Sequence, residues 1–293
     1  MFTINRTSGE VIKAFRKNKN ITLSIAAEGL MSPSQLSKFE RGETEIVFQK
    51  MEGLLNNLNI TYDEFQLAKL GYLPNDFQNL LLKIRKFYSE GNLARLNALK
   101  RNEEYKYEKD NNITHKLNSI CISGYLVDLA PDNQYIKKSE QKLLADYLFS
   151  IDEWSKYELL LFSNTLSILS IDATISLSKE MINRLIAYQS IDTYNKMMIQ
   201  TLINVCIQCI LKDRLSMADF FIRTIHNQII DETYLYEKNT LRFVEGYYAY
   251  KIGHFDTGIK KMNASIDVFK LLDSVNLSEN YSEFLNNLIS EKK

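Results

Sequence analysis

The stretch Ser32-Pro33-Ser34-Gln35-Leu36-Ser37-Lys38-Phe39-Glu40-Arg41-Gly42 predicts a short helix that presents a polar face to another molecule. Ser32 suits the N-cap, Pro33 suits the first helical position, and Gly42 suits a left-handed residue that ends the helix. The apolar side chains of Leu36 and Phe39, three residues apart, point inward. This leaves an outward face of Ser34, Gln35, Ser37, Lys38 and Arg41. A glutamine amide can pair bidentately with adenine, and the two cations suit the flanking phosphates. We therefore expect this helix to enter the major groove of DNA.

The segments on either side of this stretch complete a helix-turn-helix. One helix is predicted over residues 9–18, and a second begins at a Thr22 cap and covers residues 23–27. A four-residue link, residues 28–31, joins the second helix to Ser32. Helices over 46–58 and after the capping box Thr61-Tyr62-Asp63-Glu64 follow. The chain thus predicts a five-helix DNA-binding domain over residues 1–70, with Lys17 and Thr22 as further candidate DNA contacts.

Four segments of this domain resemble the Rgg/MutR family of bacterial transcriptional regulators, whose helix-turn-helix is similar to that of phage repressors. They are residues 15–19, the pair Ala26-Ala27, residues 36–42 (Leu-Ser-Lys-Phe-Glu-Arg-Gly) and residues 59–65. The resemblance implies an ion pair between Arg16 and Glu40, which competes with a direct DNA contact for Arg16. It also implies a repeat domain that senses a peptide pheromone, as in quorum sensing.

Composition indicates an all-α chain. The 293 residues are 45% hydrophobic and 25% charged, and only three are proline, so long helices are unobstructed. Neither a leader peptide nor an uncharged run of about eighteen residues is present, which predicts a cytoplasmic protein with no membrane partner.

The charge of the chain is unevenly distributed. The formal net charge is zero, but residues 1–41 carry seven Lys or Arg and three Glu, a net charge of +4. So small an excess predicts few phosphate contacts per subunit and weak binding by a monomer. A homodimer on a pseudo-palindromic operator is therefore expected.

No motif in the sequence indicates catalysis, a metal or a cofactor. Cys206-Ile207-Gln208-Cys209 lies in an apolar helical run without a second ligand pair, which favours two buried thiols over a zinc site. Whether these thiols have a redox role stays open. Nucleophile elbows, metalloprotease motifs and phosphate-binding loops are missing, so no enzyme activity is expected.

Beyond a linker predicted at residues 71–76, the pattern changes to paired helices over residues 77–293. Short polar breaks recur with a spacing of about forty residues per helix pair, which is typical of an α-solenoid. The clearest unit resembles a tetratricopeptide repeat through Gly246, Gly253, Phe255, Gly258 and Ser265. We therefore expect a tetratricopeptide-like domain that dimerises and senses a ligand.

Three predicted inner helices of this solenoid carry amide and hydroxyl groups at helical spacing. Such groups can clamp the main chain of an extended peptide, because an amide offers a donor and an acceptor together. The candidate peptide-binding residues are Asn164, Thr201, Asn204, Gln208, Asn239 and Arg242. The alternative for each polar residue is a hydrogen bond between helices.

The sequence therefore predicts a transcription factor whose activity is set by a short peptide. Two other interpretations remain: a protein-binding repeat scaffold, and a constitutive repressor of the phage or antitoxin type. Activation or repression, the peptide sequence, the operator and the regulated genes are not determined by these residues.

Overall fold

The computed structural model describes residues 6–70, 76–131, 136–185, 191–228 and 231–290, with Leu70 described in its backbone only. Over these residues the chain forms sixteen α-helices and no strand, which confirms the all-α prediction. It divides into two compact units, Met1–Lys83 and Ile84–Lys293. The predicted linker at 71–76 lies outside the described residues except for Asp76, and so remains a prediction.

The first unit contains the five predicted helices and the beginning of a sixth. They are α1 (Ser8–Asn18), α2 (Leu23–Ala27), α3 (Pro33–Glu40), α4 (Phe48–Asn57), α5 (Tyr62–Leu70) and α6 (Asp76–Ser89). Val11, Ile12, Leu36, Leu54 and Phe65 lie in one hydrophobic core. Burial of these apolar faces fixes the angles at which the helices pack.

Two close backbone features set the geometry of α3. Gly42 follows the helix with a φ of +76°, the left-handed conformation that glycine adopts without steric cost. At Gly9 a Cβ atom would lie 2.0 Å from the carbonyl oxygen of Phe39, so α1 and α3 pack backbone to backbone. Any side chain at residue 9 would force these two helices apart.

One detail of this unit differs from the sequence prediction. Helix α4 begins at Phe48 rather than at residue 46, because Val47 is the extended N-cap residue. In α5, Phe65 is buried and Leu67 is 40% exposed. The Phe65 ring thus belongs to the core of the first unit.

The second unit is built from helices that pack against their neighbours in the chain. They are α7 (Leu93–Asp110), α8 (Ile113–Leu129), α9 (Lys138–Ser150), α10 (Lys156–Ser163), α11 (Ile171–Arg184), α12 (Asp192–Leu211), α13 (Leu215–Gln228), α14 (Leu235–Lys251), α15 (Phe255–Leu271) and α16 (Val275–Ser290). Helices α7 and α8, α12 and α13, and α14 and α15 form the most closely packed pairs.

The α14–α15 pair shows why small residues recur in this unit. A Cβ atom at Gly246 would lie 2.8 Å from the carbonyl oxygen of Gly258, and one at Gly258 would lie 2.6 Å from that of Gly246. The two helices therefore touch through their backbones. This contact matches the repeat pattern predicted from the sequence.

In the described parts of the chain, no helix is both long enough and apolar enough to span a lipid bilayer.

Candidate nucleic-acid interface and ligand groove

Helix α3 exposes most of the polar face predicted for it, and Ser37 on that face is half-buried. The Ser32 hydroxyl accepts a hydrogen bond of 3.2 Å from the Gln35 amide nitrogen and so caps the helix. Leu36 and Phe39 are buried, while Ser34, Gln35 and Lys38 are exposed. The capped end fixes the orientation of the exposed residues relative to the core.

Arg41 is exposed but already has partners on the same unit. Its Nε and Nη2 atoms donate to the two carboxylate oxygens of Glu43, and Nη1 donates to Ser37 Oγ at 2.6 Å. The hydrogen bond to Glu43 raises the pKa of Arg41 and lowers the pKa of Glu43. A phosphate contact by Arg41 therefore competes with Glu43, whereas Lys38 forms no ion pair or hydrogen bond with a side chain of the described residues and only its charge acts on Glu43.

The two remaining candidate DNA contacts differ in their local roles. Lys17, near the end of α1, is exposed. The hydroxyl of Thr22 caps α2 by accepting from the Ile25 amide nitrogen at 3.3 Å. Thr22 therefore has a structural function whether or not it also contacts DNA.

Arg16 and Glu40 form the expected ion pair. Arg16 Nε lies 2.6 Å from Glu40 Oε1, and Nη2 lies 2.7 Å from Oε2. The third donor, Nη1, reaches the Ile21 carbonyl oxygen at 3.0 Å. The side chains are 12% and 4% exposed, and the hydrogen bond to Glu40 raises the pKa of Arg16. This pair ties α1 and the chain before α2 to the end of α3.

Two further polar side chains hold the unit together and were missed from the sequence. Lys19 Nζ donates to the carbonyl oxygens of Leu58 and Asn59 at 2.9 and 2.8 Å, and so satisfies the carboxyl end of α4. Asn57 Nδ2 donates to the carbonyl oxygens of Ala26 and Glu28 at 3.0 Å each. Contacts so distant in sequence leave no local pattern.

The second unit contains a groove of about 290 Å³ that several polar side chains line. It is lined by Tyr88, Gly124, Tyr125, Asp128, Ser163, Asn164, Leu166, Ser167, Asn204 and Gln208, which come from α6, α8, the end of α10 and α12. Three of the predicted peptide-binding residues, Asn164, Asn204 and Gln208, are thus brought together. We refer to this site as the amide groove.

One wall of the amide groove is held by tyrosine hydrogen bonds. Tyr125 Oη donates to Asn164 Oδ1 at 2.7 Å, and Asn164 Nδ2 donates to the Leu160 carbonyl oxygen at 2.7 Å. Tyr88 Oη donates to Asp128, a bond that raises the pKa of Tyr88 to about 12. Asn164 therefore has its amide engaged within the chain.

The other wall presents uncommitted amides. Asn204 is exposed and Gln208 is half-buried. Over the residues that the structure describes, neither side chain makes a hydrogen bond within the protein. These two amides are free to pair with a ligand main chain.

Thr201 and Asn239, unlike Asn204, make side-chain hydrogen bonds within the protein. Thr201 is 2% exposed and its hydroxyl donates to the Met197 carbonyl oxygen at 2.7 Å within α12, so it does not line the amide groove. Asn239 Nδ2 donates to the Ser265 carbonyl oxygen at 3.0 Å, and Ser265 Oγ donates to the Asn239 carbonyl oxygen at 2.8 Å. One N–H donor of Asn239 thus joins α14 to α15, as the interhelical alternative describes.

Arg242 lies beside a separate, largely apolar groove of about 640 Å³. We call it the α14–α16 groove, and it is lined by Leu235, Tyr236, Lys238, Asn239, Arg242, Ala264, Val268, Phe269, Leu272, Ser274 and Leu277. Three of the six predicted residues therefore line the amide groove, two line the α14–α16 groove, and Thr201 lines neither. Lys238 is a lining cation that the sequence did not single out.

The two cysteines of the C-x-x-C motif are buried free thiols. Burial raises the pKa of Cys209 to about 11 and raises that of Cys206 well above its ordinary value. Thiols of this kind are poor nucleophiles near neutral pH. In the described parts of the chain, no three His, Cys, Asp or Glu side chains form a cluster that could hold a metal ion.

A capped recognition helix on a compact five-helix unit, joined to an α-helical repeat unit, defines the class of helix-turn-helix transcriptional regulators. The comparisons with known proteins agree with this class. Residues 12–65 match the helix-turn-helix family model, and residues 96–283 match the model of the C-terminal domain of the HTH-type transcriptional regulator Rgg. The chain belongs to the Rgg family, which confirms the resemblance seen in the sequence.

Solved structures show the same architecture over nearly the whole chain. A crystal structure of the Streptococcus dysgalactiae SHP pheromone receptor Rgg2, carrying a cysteine-to-serine substitution, is 30% identical with a TM-score of 0.83 and covers 96% of this chain and 99% of that chain. A putative transcriptional regulator from Listeria monocytogenes EGD-e is 17% identical with a TM-score of 0.85, over 98% of this chain and 99% of that chain. The PrgX/cCF10 complex is 20% identical with a TM-score of 0.71, over 95% and 98%. At these lower identities the likeness concerns the fold.

Proposed function

We propose that this regulator binds a double-stranded operator in the cytoplasm and that a short peptide in the amide groove controls this binding. The observation that carries the proposal is the pair of uncommitted amides, Asn204 and Gln208, in a groove of the repeat unit. A groove of this kind has no use in a constitutive repressor. The Rgg2 relative, which is a pheromone receptor, supports the same conclusion.

The peptide is held chiefly through its main chain in this account. Asn204 and Gln208 each offer a donor and an acceptor. These groups replace the water molecules that the main-chain N–H and C=O groups of an extended peptide lose on binding. Asn164 contributes shape and rigidity, because its amide is already bonded to Tyr125 and Leu160. Peptide affinity then depends on two residues of α12.

DNA recognition is assigned to α3 and its surroundings. Gln35 and Ser34 contact base edges, and Lys38 contacts a phosphate. Ser37 and Arg41 flank these contacts. Lys17 at the end of α1 and Thr22 at the start of α2 contact the DNA backbone. Arg41 reaches a phosphate only when it leaves Glu43. Base contacts give specificity, whereas phosphate contacts give affinity on any sequence.

Two copies of the chain are needed for high affinity. The small positive charge of residues 1–41 limits the phosphate contacts of one head, so we propose a homodimer on a pseudo-palindromic operator. A peptide that binds one arrangement of the dimer better than another shifts the population between them and changes the spacing of the two α3 helices. Sedimentation of the full chain measures the dimer.

The different DNA contacts proposed for Gln35 and Lys38 give the first testable prediction. Gln35→Ala should lose about 1–3 kcal/mol of binding free energy on the operator and little on random DNA, because a base contact is lost. Lys38→Ala should weaken binding to both and reduce the salt slope by about one. Fluorescence anisotropy over a salt series measures all four affinities.

Lys69→Ala, on α5, is the control for loss of a charge elsewhere on the same unit and should behave like the native protein. An equal loss on operator and random DNA for Gln35→Ala would show that Gln35 does not read bases.

A further inference from the structure

The α14–α16 groove has an apolar floor that solvent reaches. Its apolar lining comes from three helices and includes Val268, Phe269, Leu272 and Leu277. Leu235 and Leu272 are 68% and 62% exposed. Clustered exposed apolar side chains of this kind mark a binding surface rather than a core.

Two cations without partners lie beside this floor. Lys238 and Arg242 are exposed, and within the described ranges neither forms an ion pair or a hydrogen bond. The residues that line the groove include no Asp or Glu. The groove therefore combines apolar contact with uncompensated positive charge.

One candidate counter-ion on α14, Glu245, already has partners elsewhere. Glu245 follows Arg242 by three residues and lies with it in a smaller cavity beside His226, Lys238 and Leu241. Glu245 Oε1 lies 2.6 Å from His226 Nε2, and Oε2 lies 3.0 Å from Lys261 Nζ. Both carboxylate oxygens have partners, so Arg242 remains available for an external anion.

We propose that the α14–α16 groove is a subsite for the carboxyl-terminal residue of the peptide, an inference that rests on the proposed function. The terminal carboxylate binds Arg242 and Lys238, and the apolar side chain of the same residue lies against Val268 and Leu272. A guanidinium matches a carboxylate bidentately. Only a carboxyl-terminal residue carries an apolar side chain and a carboxylate on one carbon, whereas Asp or Glu carries its acid in place of that side chain.

The register of the helices connects this subsite to the amide groove. Gln200 Nε2 donates to Glu237 Oε1 at 2.8 Å, and Asn195 Nδ2 donates to Tyr234 Oη at 3.2 Å. Helices α12 and α14 thus run side by side in the same direction with an offset of 37 to 39 residues. This offset places Asn204 at the same level along the helix axes as residues 241–243, a range that includes Arg242. In the proposal, a peptide main chain held by Asn204 runs from α12 toward α14 and ends at the subsite.

The test uses the full-length protein and a matched pair of small probes, N-acetyl-L-leucine and N-acetyl-L-leucinamide. The two differ only in the terminal carboxylate. Ligand-observed NMR titration should show the acid binding about ten-fold more tightly than the amide, because only the acid pairs with the cations. Arg242→Gln should reduce the difference between acid and amide, and Arg242→Gln combined with Lys238→Gln should abolish it. Lys212→Gln, which changes an exposed lysine at the end of α12, should leave the difference unchanged.

Equal affinity of acid and amide for the native protein, or no binding of either, would overturn the subsite without bearing on peptide control of DNA binding. The comparison on native protein stands even if Arg242→Gln lowers the melting temperature. A Val268→Asp variant tests whether a second copy of the chain, rather than the peptide, occupies the groove. Loss of the dimer in sedimentation would assign the groove to a subunit contact and overturn the proposal, whereas an unchanged mass supports an open groove.

Discussion

Glu40→Ala is expected to destabilise the DNA-binding unit by about 3 kcal/mol, because it leaves the Arg16 guanidinium buried without its carboxylate. The value is at the lower end for a buried pair, since Arg16 keeps its hydrogen bond to the Ile21 carbonyl oxygen and is 12% exposed. Urea unfolding of the full chain, followed by a probe in this unit, measures the loss. DNA affinity should fall with the folded fraction.

The chain offers a matched control for this change. Glu43→Ala breaks the second Arg–Glu pair of the same unit, whose side chains are 48% and 50% exposed, and exposed pairs contribute little to stability. Arg16→Met combined with Glu40→Leu should recover most of the loss, since it removes both charges from the buried site. Equal effects of Glu40→Ala and Glu43→Ala would refute the structural role of the buried pair.

Asn204→Ala and Asn239→Ala are expected to have opposite effects, although both remove an amide from the same predicted set. Asn204 is exposed and has no partner within the described residues, so its loss should leave the melting temperature nearly unchanged. Peptide affinity should fall about ten-fold, because a main-chain group of the ligand loses its partner. Asn239→Ala should cost about 1–3 kcal/mol of stability, because the buried Ser265 carbonyl oxygen loses its donor.

Calorimetric titration and thermal melts of both variants separate these effects. The peptide for the titration is the one that co-purifies with the protein from its native cells, identified by mass spectrometry and resynthesised. A lowered melting temperature with unchanged peptide affinity for Asn204→Ala would show that Asn204 stabilises the fold and does not bind the peptide.

The fold of the first unit follows from local sequence signals. The Ser32 cap, the Gly42 terminator and the spacing of Leu36 and Phe39 predict α3 within a residue of its observed bounds. Such signals suffice because capping and helix ends depend on residues within one turn. The Arg16–Glu40 pair joins distant residues, and it was expected only because the chain resembles a family in which the pair recurs.

The candidate site in the repeat unit was predictable only in part. Asn204 and Gln208 share one face of α12, which periodicity shows, but the partner of each polar group depends on how neighbouring helices pack. Thr201 lies three residues before Asn204 and yet is buried, and Asn239 reaches across to Ser265. Lys238 could not be predicted as a groove-lining residue, because an exposed lysine on a helix has no distinctive sequence pattern and the apolar groove beside it forms only in the folded chain.

The central claim is that a peptide bound to the repeat unit sets operator affinity. The most direct measurement is fluorescence anisotropy of a labelled promoter fragment that the protein protects in footprinting, titrated with and without saturating co-purified peptide. The account predicts a change in operator affinity of about five-fold or more, in either direction, that is lost in Asn204→Ala at the same peptide concentration. Operator affinity that stays the same at saturating peptide, with the peptide shown to be bound, would contradict it.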